Sequence, residues 1–110
     1  MLLTLPQQSG REQFGRRPCV VVAIPDRAGT PRFPILVIAP LTTSKGPWTD
    51  AAPALYPILA VGAAGLHEES VVLLDQIRAA QESRIESYIG SLTEAEFEPI
   101  RKGIRRMFDI

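Results

Sequence analysis

Read along its apolar and polar positions, the chain changes character before its last twenty residues. Upstream lie short runs dominated by valine, isoleucine and leucine: Leu2 to Leu5, Cys19 to Ile24, Ile35 to Leu41, Ala54 to Val61 and Ser70 to Leu74. Prolines at positions 6, 18, 25, 31, 34, 40, 47, 53 and 57 cut the sequence between and within them. Apolar runs of this length, bounded by turn-forming residues, predict β-strands. The gaps are too short for crossover helices, so an antiparallel barrel or sandwich is expected over a parallel sheet. Two connections are long, Pro6 to Arg17 and Thr42 to Pro53, and long loops beside rigid strands commonly carry binding.

The last segment has a helical period. Phe97, Ile100, Ile104, Met107 and Phe108 fall on one face, while Arg101, Lys102, Arg105 and Arg106 read most simply as a solvated helix face. Thr93 is placed as N-cap, with Glu96 closing a capping box and Leu92 and Phe97 in hydrophobic-staple positions. Pro99 conflicts with this, because a proline inside a helix removes a hydrogen bond and crowds the preceding turn. Either the helix kinks there or it starts near Phe97. A shorter helical turn is expected over Glu82 to Ser87.

Composition narrows the possibilities. The chain has 110 residues, 45% of them hydrophobic and 22% charged, which suits one folded domain over residues 1–110. No apolar stretch approaches the roughly 20 residues of a membrane span. Met1 to Pro6 lack the basic and apolar regions of a signal peptide. The lone Cys19 excludes an internal disulfide and a cysteine-based zinc site, and its apolar neighbours make it a core residue. A reducing cytoplasm fits. The acidic residues do not cluster at ligand spacing, so neither metal nor other cofactor is expected. The charges balance at 12 basic and 12 acidic, but unevenly: residues 1–60 hold six basic and three acidic, residues 61–110 six and nine. Ten of the cations are arginine, the side chain suited to bidentate phosphate contact.

With no phosphate-binding glycine loop, no His-Glu-x-x-His and no Cys-x-x-Cys, three segments remain as carriers of chemistry. The first is Gly10-Arg11-Glu12-Gln13-Phe14-Gly15-Arg16-Arg17-Pro18. Arg17 precedes a proline, which is expected to hold it extended at the start of a strand; a solubilising connection is the plainer reading. In the second, Pro40-Leu41-Thr42-Thr43-Ser44-Lys45-Gly46, a buried strand runs into three hydroxyls and a lysine. They suit either a phosphate oxygen or ribose hydroxyl, or the capping of a turn. The third is Ser70-Val71-Val72-Leu73-Leu74-Asp75-Gln76-Ile77-Arg78, where Asp75 and Gln76 follow an apolar strand and suit base-edge hydrogen bonds or a plain polar strand end. His67 reads as a loop residue.

In this order the segments resemble the MazF/PemK family of toxin endoribonucleases. The matching stretches are Gly10 to Val22, Val37 to Gly46 and Glu69 to Arg78, continued by Ser83 to Ile85 and Gly90 to Glu96. The resemblance covers nearly the whole chain and implies an SH3-like β-barrel with a C-terminal α-helix. It also implies a homodimer, with the first loop and the Thr42 loop of both subunits along a shared groove. The implied activity is metal-independent, sequence-specific cleavage of single-stranded RNA, mRNA foremost. A MazE-like antitoxin would block the groove, and operator DNA would be bound only together with that antitoxin.

The family's catalytic arginine and threonine fall on Arg17 and Thr42. Arg11, Glu12, Gln13, Phe14, Ser44, Asp75 and Gln76 match RNA-contacting positions, and Glu12 is a candidate base by its nearness in sequence. RNA supplies its own nucleophile, the ribose 2′-hydroxyl, so positioning and charge stabilisation suffice. The chain departs from the pattern in three places. Arg11 stands where some members have histidine, Leu73 where some have arginine, and the first strand lacks the usual Gly-Asp opening. A second reading on the same fold is a non-catalytic, CcdB-like poison of DNA gyrase that works through its C-terminal helix and not through Arg17 and Thr42.

Overall fold

A computed structural model of the chain describes residues 2–6 and 16–110, with side chains from Pro18 onward. Among these residues seven strands are present: β1 (Leu2–Pro6), β2 (Arg16–Ala23), β3 (Ile35–Thr42), β4 (Ile58–Leu59), β5 (Ser70–Val72), β6 (Arg78–Gln81) and β7 (Ser87–Gly90). They are joined by two α-helices, α1 (Pro47–Ala51) and α2 (Glu94–Phe108). The sheet order is β4-β5-β3-β2-β1-β7, with β6 also on β3, and every pairing is antiparallel. The fold is mainly β, a curled half-barrel closed on one side by the C-terminal helix. Although it lacks the Gly-Asp opening, β1 is paired along both edges, with β2 and with β7.

Register breaks account for the curl. Between Val21↔Ile38 and Ala23↔Val37, β2 advances two residues while β3 advances one. Between Leu2↔Gly90 and Leu3↔Tyr88, β7 advances two against one. Such bulges bend a strand and increase its twist. A larger break lies along β3. From Leu41↔Val72 to Ile38↔Arg78, β3 moves three residues while its partner chain moves six. The excess is taken up by a 3-10 turn over Leu74–Gln76, which leaves Leu74 buried and lifts Asp75 and Gln76 into solvent.

The main core lies between the concave face of the sheet and α2. Val20, Ala39, Leu41, Leu59, Val72, Leu74 and Ile100 are buried there, with Phe97, Ile104 and Met107 packed against them. Residues of opposite parity on β2 and β3, namely Cys19, Val21, Leu36 and Ile38, form a smaller cluster on the other face, with Ala80 and Ile85. Cys19 is buried, as its apolar run predicts. Helix α2 begins where the capping signal places it. The Thr93 hydroxyl accepts the Glu96 N–H at 3.1 Å, and the Glu96 carboxylate accepts the Thr93 N–H at 2.8 Å. The helix runs from Glu94 to Phe108 with Pro99 inside it, so it does not start late near Phe97. This reciprocal cap satisfies first-turn donors and holds the turn that Pro99 would otherwise weaken.

Other expectations are corrected. Phe108, placed on the buried face by periodicity, is 56% exposed because it ends the helix beyond the apolar sheet. Of Ala54 to Val61 only Ile58–Leu59 is strand, since Pro53 and Pro57 lack the donors a longer ladder needs. The turn over Glu82 to Ser87 is confined to Glu82–Arg84, and Ser87 opens β7. Helix α1 and strands β6 and β7 were not expected, the strands because Arg78-Ala-Ala-Gln81 and Ser87-Tyr-Ile-Gly90 show no clear apolar alternation and owe their form to pairing with β3 and β1.

Candidate functional site

The antiparallel pairing of β2 and β3 decides which candidate residues meet. Cys19 is paired with Pro40, so the opening of β2 at Arg16–Arg17 and the close of β3 at Leu41–Thr42 lie at the same end of the sheet. Arg17 is itself paired with Leu5 of β1. On the other edge of β3, Thr42 is paired with Val71 and Leu41 with Val72, and the Leu73 N–H donates to the Pro40 carbonyl at 2.9 Å. The turn bearing Asp75 and Gln76 therefore emerges from the element next to Thr42. Arg11, Glu12, Gln13 and Phe14 lie outside the described residues.

Thr42 is half-buried, and its Oγ1 accepts the Ser44 N–H at 3.1 Å. This is the turn-capping arrangement, and it sets the start of the loop. A hydroxyl has one proton and two acceptor sites, so the bond to Ser44 leaves the Thr42 proton available to an incoming oxygen. Ser44 is exposed. Lys45 is committed to an ion pair with Glu69, both side chains being near two-fifths exposed. His67 is exposed in its loop, as expected.

From here the chain folds back over itself. Pro47 starts α1 where its missing N–H costs nothing. The buried Thr49 takes the Gly46 N–H on its hydroxyl at 3.2 Å. A Cβ at position 46 would lie 2.7 Å from the Trp48 Nε1, so only glycine admits the indole ring there. Trp48 meets Tyr56 edge-on, with ring centroids 4.8 Å apart, and the Tyr56 hydroxyl donates to an Asp75 carboxylate oxygen at 2.7 Å. That bond, then a slight loss of hydration and the neighbouring negative charge, raise the Tyr56 pKa above its ordinary value and keep the phenol protonated.

The result is a belt from Thr42 through Trp48 and Tyr56 to Asp75, open to solvent along much of its length. Reading the sequence singles out Thr42, Ser44, Asp75 and Gln76 but misses Trp48 and Tyr56. Gly46-Pro47 ahead of Trp48 was the available signal, because proline at the first helical position after glycine marks a chain reversal. The belt offers hydroxyls, one carboxylate already oriented by a phenol, an amide and two aromatic rings. These are groups that recognise an unstacked base or a sugar–phosphate link.

A family model described as "PemK-like, MazF-like toxin of type II toxin-antitoxin system" matches residues 1–108. The chain belongs to that family. Among solved structures it is similar to the Mycobacterium tuberculosis toxin MazF-mt6, at 17% identity and a TM-score of 0.71, covering 99% of this chain and 96% of that one. It is also similar to a structure titled "Crystal structure of Mtb toxin", at 18% identity and a TM-score of 0.63, covering 94% and 97% respectively. At such identities these likenesses speak for the fold alone. No curated protein sequence matches significantly. The family membership implies an antitoxin partner. Among the described residues, no helix is long and apolar enough to cross a membrane.

Proposed function

We propose that this toxin is a metal-independent endoribonuclease that cuts single-stranded RNA, mRNA foremost, at a short recognition sequence. The observation that carries the reading is the β2–β3 pairing, which brings the Arg17 end of one strand to the Thr42 end of the other, beside the element that presents Asp75 and Gln76. In this reading the ribose 2′-oxygen attacks the adjacent phosphorus and the bond to the 5′-oxygen breaks. The ends are a 2′,3′-cyclic phosphate and a 5′-hydroxyl. Arg17 neutralises charge that builds on the non-bridging oxygens, the kind of stabilisation that is largest in the transition state. An arginine is a poor acid, so its part is electrostatic. Thr42 donates its hydroxyl proton to the phosphate or orients the nucleophile, and Glu12 is the candidate base.

Arg11, Gln13, Phe14 and Ser44 serve as RNA contacts, while Asp75 and Gln76 read base edges. Trp48, partly exposed beside Tyr56, supplies an aromatic ring on which a base can stack. The working unit is a homodimer in the cytoplasm, held in check by a MazE-like antitoxin, with operator DNA bound only in that complex. The test is incubation of antitoxin-free protein with a mixed single-stranded RNA in EDTA, beside Arg17→Ala, with the cut ends mapped. Recurrent cutting that is lost in the variant and blocked by one deoxyribose at the cleaved position is the expected result. Cutting that persists past that deoxyribose would falsify the mechanism. Folded protein that cuts nothing would overturn the nuclease reading.

A further inference from the structure

From Thr42 to Asp75 the chain has a charge pattern that is poor for meeting a polyanion. It holds four carboxylates, on Asp50, Glu68, Glu69 and Asp75, and Lys45 is its only lysine or arginine. That one cation is already paired, its Nζ with a Glu69 carboxylate oxygen. The sheet brings the two together. Lys45 lies just beyond Thr42, and Glu69 just ahead of Val71, the residue that Thr42 faces across the β3–β5 ladder. The pair therefore stands where β3 and β5 part, at the same strand end as Thr42 and Ser44.

Stability does not account for it. Both side chains are about two-fifths exposed, and an ion pair in such a setting contributes little once side-chain entropy and salt screening are counted. The loop is also fixed on either side of Lys45 without it. The Thr42 hydroxyl accepts the Ser44 N–H, and the Thr49 hydroxyl accepts the Gly46 N–H. A weak, exposed pair is one that another anion can open. A phosphate oxygen makes an equally charge-assisted bond to an ammonium, and neutralising a phosphate of a nucleic-acid strand releases condensed counterions besides. The carboxylate offers no such gain.

We infer that Lys45 is an RNA-phosphate contact that Glu69 occupies in the free protein. Binding exchanges the partners: the ammonium passes from the carboxylate to a phosphate oxygen, and Glu69 returns to water. The exchange lowers the part of RNA affinity that comes from phosphates, so contacts to bases at Asp75, Gln76 and Trp48 carry a larger share of it. The inference rests on the proposed RNA substrate and not on its cleavage.

The experiment is fluorescence anisotropy on the intact, antitoxin-free chain. The probe is a labelled random-sequence RNA, 2′-O-methylated at every position so that no 2′-oxygen can attack. Glu69→Gln should bind it about fivefold more tightly near 0.1 M salt, with the gain fading towards 1 M and the slope of log affinity against log salt steeper by about 0.7, the mark of one added phosphate contact. The gain should vanish in Glu69→Gln with Lys45→Gln. Glu68→Gln, which removes an equal charge next door, should leave the slope unchanged. Thermal melting of each variant separates altered binding from altered fold. The inference is overturned if Glu69→Gln binds no better than the parent, if the double variant keeps the gain, if Glu68→Gln matches it, or if no variant binds the probe. Because the probe cannot be cut, a failure here leaves the cleavage assay to decide the nuclease reading. A protein that binds in this way and cuts nothing would overturn that reading alone.

Discussion

Beneath α2, Val20, Ala39, Leu41, Val72, Leu74 and Ile100 are shut off from water and held by apolar contact on all sides. At the end of the same strands, Thr42, Ser44, Trp48, Tyr56 and Asp75 keep much of their surface in solvent and are tied by single hydrogen bonds and one ring contact. β3 serves both regions. Its alternating residues face the core, and its last residue opens the belt. The division lets the belt vary its chemistry without cost to the core, because a surface hydrogen bond contributes about 1 kcal/mol and a core side chain several times that. Mutations should therefore separate the two regions cleanly, one set moving activity and the other moving stability.

The largest expected effect is on activity. Arg17→Ala should lower RNA cleavage by about 10²- to 10³-fold, the cost of removing one transition-state donor, as read by single-turnover cutting of an oligonucleotide. Thr42→Val, which keeps the shape and removes the hydroxyl, should act in the same direction. If either variant cleaves like the parent, the belt is not the reacting centre.

On the core side, Ile100→Ala should cost about 2–5 kcal/mol in unfolding free energy, measured by urea titration. Ile100 is wholly buried where the helix meets the sheet. Below its own melting temperature this variant should still cut RNA. A core variant that kept its stability and lost its activity would mean that the two regions are coupled through β3.

How far each region was legible follows from the same difference. A core announces itself by period. Val20 and Val22, then Ala39 and Leu41, alternate as a strand must, and Phe97, Ile100 and Ile104 recur as a helix must. The cap at Thr93 was legible because it is a local reaction between a side chain and a backbone three residues on. Much of the belt was not, because its parts meet only through tertiary pairing. Nothing in Arg78-Ala-Ala-Gln81 says strand until β3 is beside it, and the three-residue excess that lifts Asp75 out of the sheet exists only as a mismatch between partners. Asp75 could be singled out as a polar residue after an apolar run, but its bond to Tyr56 spans 19 positions and no short motif encodes it.

A smaller effect tests the local end of that argument. Thr93→Ala should destabilise by about 1 kcal/mol, the usual worth of an N-cap. Thr93→Asp, which restores an acceptor for the Glu96 N–H, should recover most of it. Pro99 raises the stakes, because the turn it interrupts depends on this cap. Cleavage should be unaltered at low temperature, and a parallel loss of activity would place α2 within the functional surface.

The smallest effect probes the bond that orders the belt. Tyr56 donates to Asp75, and its pKa is raised above 10.0 chiefly by that hydrogen bond. A folded-state pKa above the unfolded value means that the bond contributes fully below the unfolded pKa, near 10, and is lost as pH climbs through the raised value. Melting temperature should therefore fall from pH 9 to pH 11 more steeply in the parent than in Tyr56→Phe, with the two curves nearly parallel at neutral pH. Because the pair is exposed, the shift should be slight, and the variant's main signature should be functional. With Asp75 no longer oriented by the phenol, discrimination between cleavage sequences should relax while the rate at the preferred site changes little. A Tyr56→Phe protein with the parent's sequence preference would show that Asp75 is placed by the turn at Leu74–Gln76 alone.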